Sequence, residues 1–305
     1  MKKYLLLVAI ITATSASAQF YVSASGGFSI GSAGILTGTS LNDDYSVAKN
    51  HYGSYGEGIN AQFKAGYFFN DMFGAEIGLA YLHGADQNVS YYKTNKSAAG
   101  AESISEYTDG SAHGRAYGFT AALVYNFNEH VYGKIGAITK VGGRTEAEFS
   151  RLTSTPLNSY DIEKAGITSI SSVGKADYHG RIPLGFTATF GYKYKLSENL
   201  NLFAEVEYLG INVTRDTSEY TELAITTPAI PAGVVGPTAI PSMTWNLGQP
   251  PLVHPVFGTI AAPSEITYVD SLDPLNTDPS KLLSTTVPYS SIGINFGITY
   301  TFSKK

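Results

Sequence analysis

From Ile292 to Phe302 every second residue is large and apolar: Ile292, Ile294, Phe296, Ile298, Tyr300 and Phe302. Gly293, Asn295, Gly297, Thr299 and Thr301 fill the gaps. A period of two is the signature of a β-strand, because successive side chains point to opposite faces. Here one face is oily with aromatic ends and the other is small and polar. About ten residues is also the length at which a tilted strand crosses a bilayer. One such stretch could sit in a soluble sandwich, but seven others share the pattern.

The outward-facing sets are Phe20–Ile30, Ile59–Phe69, Phe73–Tyr81, Tyr117–Phe127, Val131–Val141, Ile182–Tyr194 and Leu202–Tyr208, taken at alternate positions. Three short turns link pairs of them, at Asn70-Asp71-Met72, Asn128-Glu129-His130 and Ser197-Glu198-Asn199. Asn, Asp and Ser form turns because their side chains bond nearby backbone. Between the pairs lie long loops, at about 31–55, 85–113, 143–178 and 215–287. This rhythm predicts an all-β fold: a closed antiparallel up-and-down transmembrane β-barrel of eight strands with long extracellular loops. A ten-stranded alternative would borrow a hairpin near Val256–Val269 from the fourth loop.

Residues 1–18 read as a secretory signal: Lys2 and Lys3, an apolar run from Tyr4 to Ile11, then Ala16-Ser17-Ala18. Cleavage near Ala18 leaves residues 19–305 as the barrel. The apolar run is too short for a membrane helix, and no later segment holds about 18 consecutive apolar residues. Without cysteine there is no disulfide and no thiolate metal site. The net charge of −5 disfavours nucleic acid as a partner. Twenty-two tyrosines suit aromatic girdles at two membrane interfaces.

The fourth loop stands apart. It holds most of the thirteen prolines, so it is not barrel wall. Its length far exceeds the usual connection. Yet Ile225, Ile230, Val234, Trp245, Leu247 and Phe257 make it too apolar for simple disorder. We expect a semi-ordered cap over the barrel mouth, with Trp245 and Phe257 as exposed contacts for an extracellular protein or surface ligand.

The leader, the eight alternating strands and the final Ile294–Phe302 strand together resemble the small outer-membrane β-barrel superfamily of the OmpA type. The resemblance covers nearly the whole chain after the leader. It implies the cell outer membrane as location, outer-membrane lipid as surroundings, and assembly through a terminal aromatic strand. Ser303-Lys304-Lys305 after Phe302 depart from the usual ending. No peptidoglycan-binding domain is expected.

Function must be read from sites rather than fold. By parity Lys64, Glu76, Lys134, Lys193, Glu205 and Glu207 point into the lumen. An eight-stranded lumen is just filled by side chains, and charges within it must pair. A salt-bridged plug is therefore expected, with a narrow pore as the alternative. Asp177 and His179 share a face at the rim of strand six. Outer-membrane proteases of the omptin type use such a pair with a second acidic pair, which is not evident here. No histidine stands two residues from a serine on a lipid-facing strand, as a lipid A deacylase would require. Asp270, Asp273, Asn276 and Asp278 lack calcium-loop spacing. We expect no catalytic residue, no metal and no cofactor. The expected role is non-enzymatic, structural or surface-interacting, through the outer loops. Passage of small or hydrophobic molecules is the alternative, and a rim hydrolase the remote one.

Overall fold

In the computed structural model, residues 19–32, 34–96, 102–155 and 169–302 are described. The expected leader and the terminal Ser303-Lys304-Lys305 lie outside these residues.

Eight strands close a barrel: β1 (Gln19–Gly31), β2 (Gly58–Phe68), β3 (Phe73–Gly84), β4 (Glu102–Asn126), β5 (Val131–Ser154), β6 (Gly185–Lys195), β7 (Leu200–Gly210) and β8 (Ser291–Thr301). Each pairs antiparallel with its sequence neighbour. β8 returns to β1 over Tyr21↔Thr301 to Gly31↔Ser291, which completes the ring. The ten-stranded alternative is thereby corrected. The hairpin in that region, Leu252–His254 with Gly258–Ile260, forms a two-stranded sheet of its own.

Two of the short turns use one device. Asn70 Oδ1 accepts from the amides of Met72 and Phe73 at 2.9 and 2.8 Å. Asn128 Oδ1 does the same for His130 and Val131, both at 2.8 Å. The asparagine carboxamide thus replaces a backbone acceptor and sets the reversal.

The outward face is the oily one. Ile59, Phe63, Leu79, Leu123, Ile135, Phe190 and Phe296 are exposed, while the intervening inward residues are mostly shielded. At the short-turn end, Phe20–Phe302, Tyr67–Phe69, Phe73–Tyr125 and Tyr125–Phe127 form aromatic pairs with centroids 5.0–5.7 Å apart.

The loops differ from the expectation in extent. β4 runs back to Glu102 and β5 forward to Ser154, through regions read as loop. The third loop contains the strand Ser169–Gly180, and the fourth opens with the strand Asn212–Thr227. These four segments pair side by side beyond the barrel mouth. Met243–Asn246, Glu265–Val269 and Thr286–Pro288 then pair in turn along Asn212–Thr227. The result is an extended sheet, a platform standing on one side of the barrel rather than a loose cap. Its sequence reads as loop because its outer face carries charge where the barrel carries oil. Glu146, Glu148, Lys175, Asp177, Glu219 and Glu222 occupy alternate places on that face. The other face has a core of its own, in which Leu223, Trp245 and Ile260 are buried and Phe149, Tyr220 and Leu247 pack around them.

Candidate functional site

The waist of the lumen is filled by four charges from four strands. Lys64 on β2 reaches Glu205 on β7 at 2.8 Å. Lys134 on β5 bridges Glu205 at 2.8 Å and Glu76 on β3 at 2.9 Å. Tyr21 donates to Glu76 at 2.9 Å and Tyr132 to Glu205 at 2.8 Å. All six side chains are buried or nearly so. The phenols fit because glycine lies opposite them: a β-carbon on Gly66 would collide with the Tyr21 ring, and one on Gly191 with the Tyr132 ring. Each carboxylate therefore receives both charged and neutral donors, the condition under which a buried ionic group is tolerable.

Glu207 sits two residues further along β7 and joins no lysine among the described residues. It accepts from Gln62 at 2.6 Å, Asn295 at 3.0 Å and Thr187 at 3.2 Å. Lys193 is separate again. Its ammonium donates to Asn126 at 3.1 Å near the short-turn end and lies 5.8 Å from the Phe68 ring centroid. So four of the six inward charges meet, Glu207 forms a neutral-donor layer beside them, and Lys193 guards one entrance. Sequence reasoning did not assign Tyr21, Tyr132, Gln62 and Asn295 to this network, although their inward parity was readable.

Small cavities lie on either side of the charged waist. One of about 60 Å³ is bounded by Tyr21, Tyr132, Lys193 and Phe203. The other, about 70 Å³, lies between the Glu207 layer and the mouth, against Leu82, Ile138, Leu209 and Ile211. Tyr55 and Tyr289 roof it with ring centroids 5.7 Å apart, and the Thr145 and Tyr289 hydroxyls are 2.7 Å apart.

Beside this second cavity the wall is incomplete. The β5–β6 ladder ends at Ile138↔Gly185. Pairing of β5 resumes only at Thr145, with Tyr178. Residues 181–184 bulge outward, leaving Ile182 and Leu184 each 83% exposed. Pro183 has no amide hydrogen to offer a ladder. A side-chain bond ties this edge, from Thr139 Oγ1 to the Pro183 carbonyl at 2.7 Å. β5 itself is irregular here, with a register shift opposite Tyr117/Gly118 and Gly143 at φ +92°. That backbone conformation is one glycine adopts without steric cost.

The rim pair is placed differently from a catalytic dyad. Asp177 and His179 do share the outer face, but Asp177 pairs with Arg144 at 3.0 Å. Burial pushes the Asp177 carboxyl up, while Arg144 acts in the opposite direction. His113 bridges Asp86 at 2.7 Å and Glu146 at 2.8 Å, and Arg144 meets Glu146 at 2.8 Å. This is a cross-strand charge ladder on an exposed sheet face.

The two expected loop contacts are corrected. Trp245 is only 3% exposed, its indole N–H donating to the carbonyls of Gln249 and Pro250, both at 3.1 Å. Phe257 is half-buried against the same core and stacks on His254 at 4.5 Å. Their apolar area is spent within the platform rather than offered to a partner.

No protein-family model and no curated protein sequence matches the chain. Among solved structures it is similar to the outer membrane protein OprG from Pseudomonas aeruginosa, at 12% identity over 94% of this chain and 97% of that one, with a TM-score of 0.36. It is also similar to Ail, the attachment invasion locus protein of Yersinia pestis, in complex with the heparin analogue sucrose octasulfate: 13% identity, 94% and 99% coverage, TM-score 0.30. Acinetobacter baumannii CarO2 matches at 12% identity, 92% and 99% coverage, TM-score 0.27.

Proposed function

We infer that this chain is a non-enzymatic outer-membrane barrel that acts at the cell surface through its platform. The supporting observation is the contrast between the two ends of its chemistry. The lumen is crossed by the Lys64–Glu205–Lys134–Glu76 network, whose paired and buried side chains support a plug at the waist. The platform, by contrast, has its own buried core and a broad polar face. Outward apolar side chains on every barrel strand fit hydrocarbon, so the short turns face the periplasm and the long loops face outside. Binding residues concentrate on outer loops held by a rigid scaffold.

The test replaces residues 228–284 with a short flexible linker. Cells displaying the shortened protein should lose adhesion to immobilised glycans and matrix proteins that the full chain supports. The barrel should still show heat-modifiable migration. Equal adhesion by both proteins would refute the reading. In planar bilayers the full chain should be electrically silent, and steady single-channel currents would contradict the plug.

The unladdered wall at residues 139–144 supports a second reading, lateral passage of a small apolar molecule between the roofed cavity and the membrane. Its test is accumulation of a fluorescent apolar probe by cells with and without the protein. Equal rates would remove it.

A further inference from the structure

The roofed cavity beneath Tyr55 and Tyr289 carries a cation without a counter-charge. Lys140 pairs opposite Gly118, which lies between outward Tyr117 and Phe119, so its side chain enters the lumen. Its half-buried ammonium lies 5.7 Å from the Tyr289 ring centroid and donates to the Gly143 carbonyl at 3.1 Å. No carboxylate among the described residues lies within 4.0 Å of it. A cation taken out of water needs a counter-charge or several strong acceptors, and one carbonyl with a ring face is little compensation. Arg215 repeats the pattern on the platform side of the roof. Its guanidinium lies 4.5 Å from the Tyr178 ring centroid and 6.0 Å from that of Tyr268. It too has no carboxylate within 4.0 Å among the described residues.

Below the cavity the sign reverses. Gln62 lines its floor and donates to Glu207 at 2.6 Å, and Glu207 joins no lysine among the described residues. An anion in this space is drawn toward Lys140 and held off the Glu207 layer. Between the two the lining is apolar, from Leu82, Ala116, Ile138, Leu209 and Ile211. At roughly 10–15 Å³ per water-sized sphere, the volume of about 70 Å³ takes on the order of five non-hydrogen atoms. That is a carboxylate with the first few carbons of a chain. An apolar way out for the rest of a chain lies at the gap in the wall. Tyr81, Tyr117 and Lys140 border both this cavity and an outer groove of about 550 Å³, so only the thickness of the strands separates the two spaces. Tyr117, Val141 and Ile182 are exposed along that groove and continue the outward apolar belt.

We propose that the roofed cavity binds the carboxylate head of a single-chain amphiphile, with Lys140 as its counter-charge and the chain leaving through the gap between β5 and residues 181–184. The inference deepens the reading of lateral passage and rests on it, naming the charge and shape of the passenger. A carboxylate suits the site because it forms a short charge-assisted bond with one ammonium and brings a single charge to be neutralised. A glycerol head bearing two chains exceeds the space beside Lys140. Arg215, above the roof, adds attraction for an anion at longer range.

Equilibrium dialysis of the full chain in phosphatidylcholine nanodiscs tests the site, with dodecanoate, dodecanol and dodecylammonium as probes and empty nanodiscs as background. A pH of about 8 keeps the carboxylate ionised. Dodecanoate should bind above background, and the other two about tenfold more weakly or less. Lys140→Gln should weaken dodecanoate binding by about tenfold, the scale of one charge-assisted contact. Lys140→Arg should preserve it, which guards against a variant that merely misfolds. Excess acetate should not displace the bound probe, because it lacks the chain. Dodecanoate at background, equal binding of dodecanol, unchanged binding by Lys140→Gln, or displacement by acetate would each overturn the proposal. Accumulation of dodecanol by cells with and without the protein separates the two failures. Protein-dependent accumulation beside dodecanoate binding that ignores Lys140 overturns the head-group site and leaves lateral passage standing. Accumulation independent of the protein removes the passage on which the chain's exit rests.

Discussion

Lys134 Nζ lies 2.8 Å from Glu205 Oε1, and the Glu205 side chain is fully shielded from solvent while serving a second lysine, Lys64, at the same distance. One carboxylate thus neutralises two ammonium groups from opposite parts of the ring. Glu205→Gln should leave both lysines under-compensated and destabilise the barrel by roughly 3–5 kcal/mol. Denaturant unfolding in detergent reads this directly. A Lys134→Met/Glu205→Gln double variant should lose less than the sum of the single changes, because the two sites are coupled.

Gly191 should not tolerate a side chain. Alanine there meets the Tyr132 ring across the strand pair, so the phenol must leave Glu205. A cost of about 1–3 kcal/mol is expected from overpacking. Tyr132→Phe in the Gly191→Ala background should recover little, since the collision is with the ring rather than the hydroxyl. Recovery to wild-type stability would contradict this geometry.

The platform should loosen in acid before the barrel does. The His113 hydrogen bond above all holds the Glu146 carboxyl below its usual range; burial opposes it, and Arg144 and Arg115 add to the lowering. A depressed carboxyl stabilises the folded state fully above its unfolded value of about 4.3, and that contribution is lost as pH falls through the lower folded value. Amide hydrogen exchange across residues 144–148 and 175–179 should accelerate below about pH 4.3 while β1 and β8 stay protected. Glu146→Gln should abolish the pH dependence of that difference.

Trp245 is the single tryptophan of the chain, which makes it a private reporter of the platform core. Its emission should shift to the red at lower denaturant than the loss of heat-modifiable migration, because the platform core is smaller than the barrel. Trp245→Ala should cost the platform about 3–5 kcal/mol and leave the barrel transition in place. A single coincident transition in the wild type would show that the two unfold as one unit.

The barrel was legible because lipid imposes a strict rule. Phe296 and its alternate neighbours must be oily, whereas Asn295 and Gly297 face a narrow interior, and that contrast survives in the sequence. The same parity placed Lys64, Glu76, Lys134 and Glu205 inward. It could not show that Lys193 stays apart, since depth along a tilted strand depends on the stagger of the ring. The platform was hidden for the opposite reason. Glu146, Glu148 and Lys175 alternate as faithfully as any barrel residue, but their outer face meets water, so hydropathy reads them as loop. Trp245 looked like an exposed contact because nothing local announced that Leu223 and Ile260, far away in sequence, would cover it. The gap in the wall comes from a ladder that stops at Ile138 and resumes at Thr145, a pairing choice invisible in composition.

β4 is one uninterrupted strand of 25 residues. At about 3.3 Å per residue its length is on the order of 80 Å, several times the roughly 25 Å apolar band of a barrel of this kind. It carries the platform as a mast carries a sail: under the surface-binding role proposed above, a ligand at the far end would be held well clear of the bilayer, and a pull there would lean the whole cylinder in its lipid instead of bending a hinge.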